Sequence, residues 1–444
     1  MRPCFRSDSW YLVALFVTLI SLGSILLVLP ISQAGNELDT QPVSYVDALF
    51  MATSAVCVTG LATVDMARFS MFGQVVILLL IQLGGLGIIS FTSLLLILPG
   101  GRIPFRRIST IRSFYVDGVE YDPRKIIFTI VGTTLCIEAL GAGVLAVLFK
   151  QAGLQNYMYN GIFHAVSAFC NAGFSLFPDS LEGFAHNPMV LLVIILLIIL
   201  GGLGFIVLQD MYQRLTRKRR YLNYHSRVVL GMTAVLIVLG FFVYFFFEEK
   251  NSFSGFPLKD RIMNVLFQSV TPRTAGFDTV PQYLLSQPSK VFTILLMFIG
   301  AGPGSIAGGI KVSTIFIIII LMIRHPDPAG DIHIGKHRIT GYTLNRATVY
   351  FLKGLILLLT GAFMLSLIEG PRGVAFDIIV FEVVSAFGTV GLSLGLTPEL
   401  SVAGKLVIIG IMFAGRIGLV ALSFSLVRVK KYDITYPEGS VLLG

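Results

Sequence analysis

Four short segments of this chain end alike, in a small or polar pair, a glycine and a large apolar residue. They are Val58-Thr59-Gly60-Leu61, Asn171-Ala172-Gly173-Phe174, Thr274-Ala275-Gly276-Phe277 and Thr389-Val390-Gly391-Leu392. A single glycine of this kind marks a turn. Four of them, evenly spaced and in matching hydropathy frames, mark an internal repeat that constrains the whole fold. The chain divides into quarters, and four equivalent loops can be set around one axis.

The surroundings of that axis follow from composition. Of the 444 residues, 55% are hydrophobic and 13% are charged, with a mean hydropathy of +0.84. A soluble domain carries about 25% charged residues, so the chain reads as an integral membrane protein. Long apolar runs fall at 10–30, 73–98, 126–149, 189–213, 227–247, 290–323, 346–368 and 403–428. Each is long enough to cross about 30 Å of hydrocarbon as a helix, which satisfies its own backbone there. The first run is longer than a signal-peptide core and lacks a small-residue cleavage pattern, so it is expected to be a retained span.

Eight spans put both termini on one side. The largest clusters of lysine and arginine are RIPFRRISTIR (102–112) with Arg124 and Lys125, and QRLTRKRR (213–220) with Arg227. Smaller groups lie at the extreme N-terminus, from Arg324 to Arg346, and at Arg428, Lys430 and Lys431. All of these land on one face, which makes that face, and both termini, cytoplasmic. The net charge of +9 is then topogenic and faces anionic lipid. Nucleic-acid binding would need aromatic interleaving or a folded basic domain, and neither is present. Cys4, Cys57, Cys136 and Cys170 are scattered and suggest neither a metal site nor a disulfide framework.

Between the two spans of each quarter lies an apolar stretch too short to cross, at 45–57, 159–170, 261–271 and 376–387. Such lengths fit re-entrant segments. Each carries a phenylalanine (Phe50, Phe163, Phe267, Phe381), with the glycine ten residues later in three quarters and nine later in the third. The expected fold is an all-α membrane protein of four pseudo-repeated span, pore helix, span units around one central pore. The units are 1–99, 100–214, 215–324 with a gate loop, and 325–444 with a cytoplasmic tail.

Extended backbone at membrane depth is tolerated where it lines a cavity or is buried in protein. Four such loops offer rings of carbonyl oxygens that replace the hydration shell of a monovalent cation. The candidate ion-binding residues are Val58, Thr59, Gly60, Asn171, Ala172, Gly173, Thr274, Ala275, Gly276, Thr389, Val390 and Gly391. No acidic side chain recurs among them, which argues against a divalent-cation filter. Asp65, Asp179, Asp278 and Glu399 lie just beyond and either make the outer mouth negative or are ordinary solvated loop charge. The side chains of Thr59 and Asn171 are open to a capping role instead of a ligand role.

The second span of each quarter repeats a further motif: Leu83-Gly84-Gly85-Leu86-Gly87, Leu200-Gly201-Gly202-Leu203-Gly204, Gly300-Ala301-Gly302-Pro303-Gly304 and Ala414-Gly415-Arg416-Ile417-Gly418. In the first two copies, close helix packing through small residues explains it. The third extends to GAGPGSIAGGIK (300–311), which is too rich in glycine to continue as a regular helix. Broken helices at mid-membrane occur where a transport pathway passes, so residues 300–310, with Gly300, Gly302, Gly304, Gly308 and Gly309, are expected to gate it. In the fourth copy Arg416 stands inside a span, where an ionisable residue usually faces a cavity. It either acts in gating, joined by Lys311, or pairs structurally with a carboxylate such as Glu138 or with loop carbonyls.

This four-quarter plan, with one filter glycine per quarter and a glycine-rich third-quarter loop, resembles the Trk/Ktr/HKT superfamily of potassium transporters, and within it the KtrB family of membrane subunits. The tail YPEGSVLLG (436–444) shares the likeness. The resemblance implies a bacterial plasma-membrane protein, with Gly60, Gly173, Gly276 and Gly391 as filter glycines that favour potassium. It also implies 300–310 as the intramembrane gate and Arg416 as the pore arginine. A homodimer with one pore per subunit is implied, together with a cytosolic KtrA-like ring of RCK-type subunits binding adenine nucleotides. Potassium is then the transported ion and sodium a common activator. No organic cofactor is expected on this chain, because no GxGxxG follows a βαβ pattern.

No enzyme constellation competes: the six histidines are dispersed, with no HExxH and no Ser/His/Asp set. One rival is a sodium-coupled secondary transporter of a solute, which predicts twofold or inverted symmetry and a side-chain-rich site. The other is a membrane scaffold that conducts nothing.

Overall fold

A computed structural model of the chain describes residues 8–34, 42–94, 123–335 and 337–417. The described residues are mostly helical. In chain order the helices are α1 (Asp8–Val28), α2 (Tyr45–Cys57), α3 (Met71–Leu94), α4 (Pro123–Gln151), α5 (Tyr157–Phe169), α6 (Pro188–Leu203) and α7 (Phe205–Leu215). There follow α8 (Tyr224–Glu248), α9 (Leu258–Val270), α10 (Gln287–Phe298), α11 (Val312–Ile323), α12 (Gly341–Glu369), α13 (Phe376–Gly388) and α14 (Val402–Ile417). A hairpin of β1 (Ile332–Ile334) and β2 (His337–Ile339), antiparallel with Ile332 opposite Ile339, joins α11 to α12.

The four short apolar stretches are α2, α5, α9 and α13, each beginning within three residues of its expected start. Phe50, Phe163, Phe267 and Phe381 are all fully buried within them. By length and composition, Phe128–Gln151, Tyr224–Glu248 and Gly341–Arg372 suffice to cross a membrane. Several further apolar helices, among them Val13–Val28, Met71–Leu86 and Val312–Ile323, are shorter. The basic segment 102–112, the end of the last apolar run after Ile417, the tail 436–444, Cys4 and Gly418 lie outside the described residues.

The short helices are held in a closed cycle. Each packs on the long helix before it: α2 on α1, α5 on α4, α9 on α8 and α13 on α12. Each also packs on a helix of the preceding unit: α5 on α3, α9 on α6, α13 on α10, and α2 on α14. The last pairing joins the end of the described chain to its beginning. A 2.6 Å ion pair from Lys405 of α14 to Asp47 in the first turn of α2 reinforces it.

Close approach at these contacts requires glycine. A Cβ at Gly84 would lie 2.0 Å from the carbonyl oxygen of Val56, one at Gly201 would lie 1.9 Å from that of Phe169, and one at Gly415 would lie 2.1 Å from that of Phe387. The acceptors sit in the last turns of α2, α5 and α13, where carbonyls lack intrahelical partners. Packing through small residues therefore accounts for Gly84 and Gly201, and it extends to Gly415 in the fourth copy.

One expected span is corrected. The run 189–213 is not a single helix: α6 and α7 are bent by 105° at Gly204, whose φ is +91°. The cause is non-local. The link between α10 and α11 presses against this point, with Gly302 N–H donating to Gly202 O (2.9 Å) and Phe205 N–H donating to Gly304 O (3.2 Å). A Cβ at Gly204 would stand 2.6 Å from Pro303 O.

Replacing Gly201 by valine drives a branched side chain into a backbone carbonyl. The expected cost is at least ~3 kcal/mol, read as a large fall in apparent melting temperature and in folded yield from detergent. Gly231, whose Cβ would meet nothing within 4 Å, is the control, and Gly231→Ala should leave both unchanged.

Candidate ion pathway

The four glycine segments, far apart in sequence, converge on one another. A Cβ at Gly60 would lie 2.5 Å from Ala172 O, at Gly173 2.8 Å from Ala275 O, at Gly276 2.1 Å from Val390 O, and at Gly391 2.4 Å from Thr59 O. Each glycine thus abuts the carbonyl that precedes the next glycine, and the fourth returns to the first. The result is a closed ring of backbone, with the carbonyls of Thr59, Ala172, Ala275 and Val390 at equivalent places.

The backbone follows the same course in every segment. Val58, Asn171, Thr274 and Thr389 have φ of 56°, 56°, 77° and 49°, and the glycines two residues later have φ of 94°, 70°, 77° and 99°. A non-glycine residue held there costs on the order of 1–3 kcal/mol and persists only where its surroundings over-determine it. The surroundings are specific. Ser54 O and Oγ accept from Thr59 and Gly60 N–H at 2.8 and 3.1 Å, and Ser385 does the same for Val390 and Gly391 at 2.9 and 3.2 Å. In the other two segments the hydroxyl reaches forward: Ser167 Oγ donates to Phe174 O and Thr271 Oγ1 to Phe277 O, both at 2.7 Å.

These four hydroxyl anchors escaped the sequence reading, although their signal was present. They stand six residues before the glycine in three segments and five before it in the third, the same one-residue offset as the phenylalanines. Asn171 acts as a cap: its amide nitrogen, turned toward Ala168 O and Ile198 O, meets them at 3.0 and 3.2 Å. Thr59 Oγ1 is buried and has no hydrogen-bond partner among the described residues. Arg273, buried beside Thr274 and 3.3 Å from Thr233 Oγ1, is a second interior cation that the sequence did not single out.

Of the acidic residues beyond the ring, Asp65, Asp179 and Glu399 are exposed and Asp278 is half-buried. Asp65 accepts from Ala67 N–H at 2.9 Å and caps a short turn. Near Asp179, burial, and then the charge of Asp179, raises Glu182 above the usual carboxylate range.

On the other side of the ring, the link between α10 and α11 carries Gly300, Gly302, Gly304, Gly308, Gly309 and Lys311. Gly300 N–H donates to Ile310 O at 2.9 Å, so the link folds back on itself. It touches the fourth segment directly, through Gly308 N–H to Thr389 Oγ1 at 3.1 Å. Lys311 turns inward and donates to Ala307 O. Arg416, 4% exposed, donates to Ile306 O of the link and, at 2.6 Å, to Gly84 O of α3. Its partners are loop and helix carbonyls, whereas Glu138 receives Gln82 Nε2 at 3.0 Å instead. Arg416 therefore ties the link to the first unit.

Buried carbonyl rings inside a cycle of apolar helices define the chain as a helical membrane protein. It belongs to the TrkH family of cation transport proteins, whose family model matches residues 5–433. The chain is 38% identical to the Ktr system potassium uptake protein B of Bacillus subtilis over 440 residues, covering 97% of this chain and 95% of that protein. It is 37% identical to the potassium/sodium uptake protein NtpJ of Enterococcus hirae, with the same coverages. Its fold matches the crystal structure of the potassium transporter TrkH from Vibrio parahaemolyticus with a TM-score of 0.73 at 20% identity, covering 96% of this chain and 86% of that one.

Ser385→Ala removes the hydroxyl that accepts from Gly391 N–H, and the expected loss is about 1 kcal/mol of stability. Thermal unfolding of the purified protein should show it as a fall of a few degrees. Ser366→Ala, which removes a buried hydroxyl that has no partner, should show no such fall.

Proposed function

We propose that this protein takes up potassium across the cell membrane through the ring of four glycine segments. Supporting this above all is the closed cycle in which Gly60, Gly173, Gly276 and Gly391 each abut the next segment's carbonyl. Carbonyl oxygens in such rings substitute for the water of a monovalent cation. The relatives in Bacillus subtilis and Enterococcus hirae, a potassium and a potassium/sodium uptake protein, support potassium, and the second makes sodium the ion to test against it.

In this reading eight spans surround the pore: α1, α3, α4, α6, α8, α10 continued by α11, α12, and α14 with the residues after it. The re-entrant pore helices are α2, α5, α9 and α13, and the four units are 1–99, 100–214, 215–324 and 325–444. Both termini and the basic segments face the cytoplasm, with α7 along that surface. Residues 300–310 close the path under the ring, and Arg416 and Lys311 add a repulsive charge for a passing cation. The chain works as a homodimer with a cytosolic ring of RCK-type subunits, which bind adenine nucleotides and bias the gate.

Uptake in a strain lacking its own potassium systems, with and without the RCK partner, tests the ion and the regulator. Potassium and rubidium uptake should be retained against excess sodium, and a Gly391→Ser variant should lose that discrimination. Equal uptake of potassium and sodium by the unaltered protein, or a silent Gly391→Ser, overturns the reading.

The gate has its own test. Deleting residues within 300–310, or replacing Arg416 by alanine, should raise ion flux, since either breaks the tie that runs from Ile306 of the link through Arg416 to Gly84 of α3. Unchanged or lower flux from folded variants counts against gating.

A further inference from the structure

Behind the ring, one position of each short helix faces the outward limb of its own glycine segment. It is the residue after the buried phenylalanine: Met51, His164, Gln268 and Glu382. In three segments this residue bonds to the chain two or six residues beyond the glycine. His164 Nε2 lies 3.0 Å from Oγ of Ser175, two beyond Gly173. The amides of Gln268 and Gln282, the latter six beyond Gly276, exchange two hydrogen bonds at 2.8 and 3.2 Å.

Glu382 makes both contacts. Ser393, two beyond Gly391, donates to its Oε2 at 2.8 Å, and Thr397, six beyond, donates to its Oε1. Glu382 is fully buried, and its partners among the described residues are these two hydroxyls. In the first segment Met51 and Met66 hold the corresponding places within the apolar core. The bracket is therefore made in three segments by three chemistries, and apolar residues stand at its positions in the first.

We propose that these side chains brace the outward limb of each glycine segment, and that Glu382 is the positioning residue on which discrimination between potassium and sodium most depends. The proposal rests on reading the ring as the selectivity filter. Discrimination by carbonyls requires that their number and spacing around the ion be held. Glu382 fixes two points of the limb that leaves Gly391, where His164 fixes one. Hydroxyls left without their acceptor, that of buried Thr397 above all, would turn elsewhere and carry the limb with them.

The experiment measures the ratio of potassium to sodium uptake by the full-length chain in cells lacking other potassium systems. Glu382→Ala should lower the ratio by about tenfold, with the amount of protein in the membrane unchanged. Glu382→Gln, which installs the third segment's side chain, should restore it to within about twofold of the unaltered protein. The double variant Ser393→Ala/Thr397→Val keeps Glu382 but removes both donors, and it should fall as Glu382→Ala does. It also serves if the alanine variant does not accumulate.

An unchanged ratio in the alanine and double variants overturns the proposal, as does a Glu382→Gln variant as impaired as Glu382→Ala. Gly391→Ser separates the two levels. If it shifts the ratio while Glu382→Ala does not, the bracket alone is wrong, and if it is silent, the filter reading falls as well.

Discussion

The tightest constraint in the molecule is the fit of four glycines against four carbonyls. With a prospective Cβ nowhere more than 2.8 Å from the neighbouring oxygen, the ring has no slack for a side chain on any of its members. The rest of the fold serves that approach. Strained residues at 58, 171, 274 and 389 turn the chain, hydroxyls on the short helices hold it, and buried phenylalanines fix the helices. Glycines at 84, 201 and 415 then let the neighbouring helices come close enough to support the ends.

The units differ most in the second half of the third and of the fourth. Gly85 and Gly202 occupy a place on α3 and α6 that faces inward; a Cβ at Gly85 would stand 2.8 Å from Cys170 Sγ. At the equivalent place on α14 the chain carries Arg416, whose guanidinium reaches the link that the third unit supplies instead of a helix. The inequality of the third unit and that of the fourth thus meet at one contact, between the guanidinium and the Ile306 carbonyl of the link. Arg416 Nε is buried and has no hydrogen-bond partner among the described residues.

Much of this was legible in the sequence because it is local and repeated. The short helices begin within three residues of where hydropathy put them, and the break after Phe298 follows from its run of glycines. The bend at Gly204 was not legible: the same Leu-Gly-Gly-Leu-Gly motif stays helical in α3, and the difference lies in the link that presses on α6 from a hundred residues away. Arg416 was visible as a charge in a span, but its partners are carbonyls, which a sequence does not display. The hydroxyl anchors and the bracket residues were legible in principle, since both keep fixed offsets from the glycines. They vary among Ser and Thr, or among Met, His, Gln and Glu, so identity-based matching passes over them.

The Lys405–Asp47 pair spans 358 positions and joins the last described helix to the first short one. Its consequence is one of timing. While the chain is being made, the first three segments meet without their fourth neighbour, and the ring exists only after Gly391 has followed them. A nascent chain halted between Gly276 and Gly391 carries three sides of the ring and an open one. If the ring is the filter, as proposed, no closed pathway exists until the last quarter of the chain has been made.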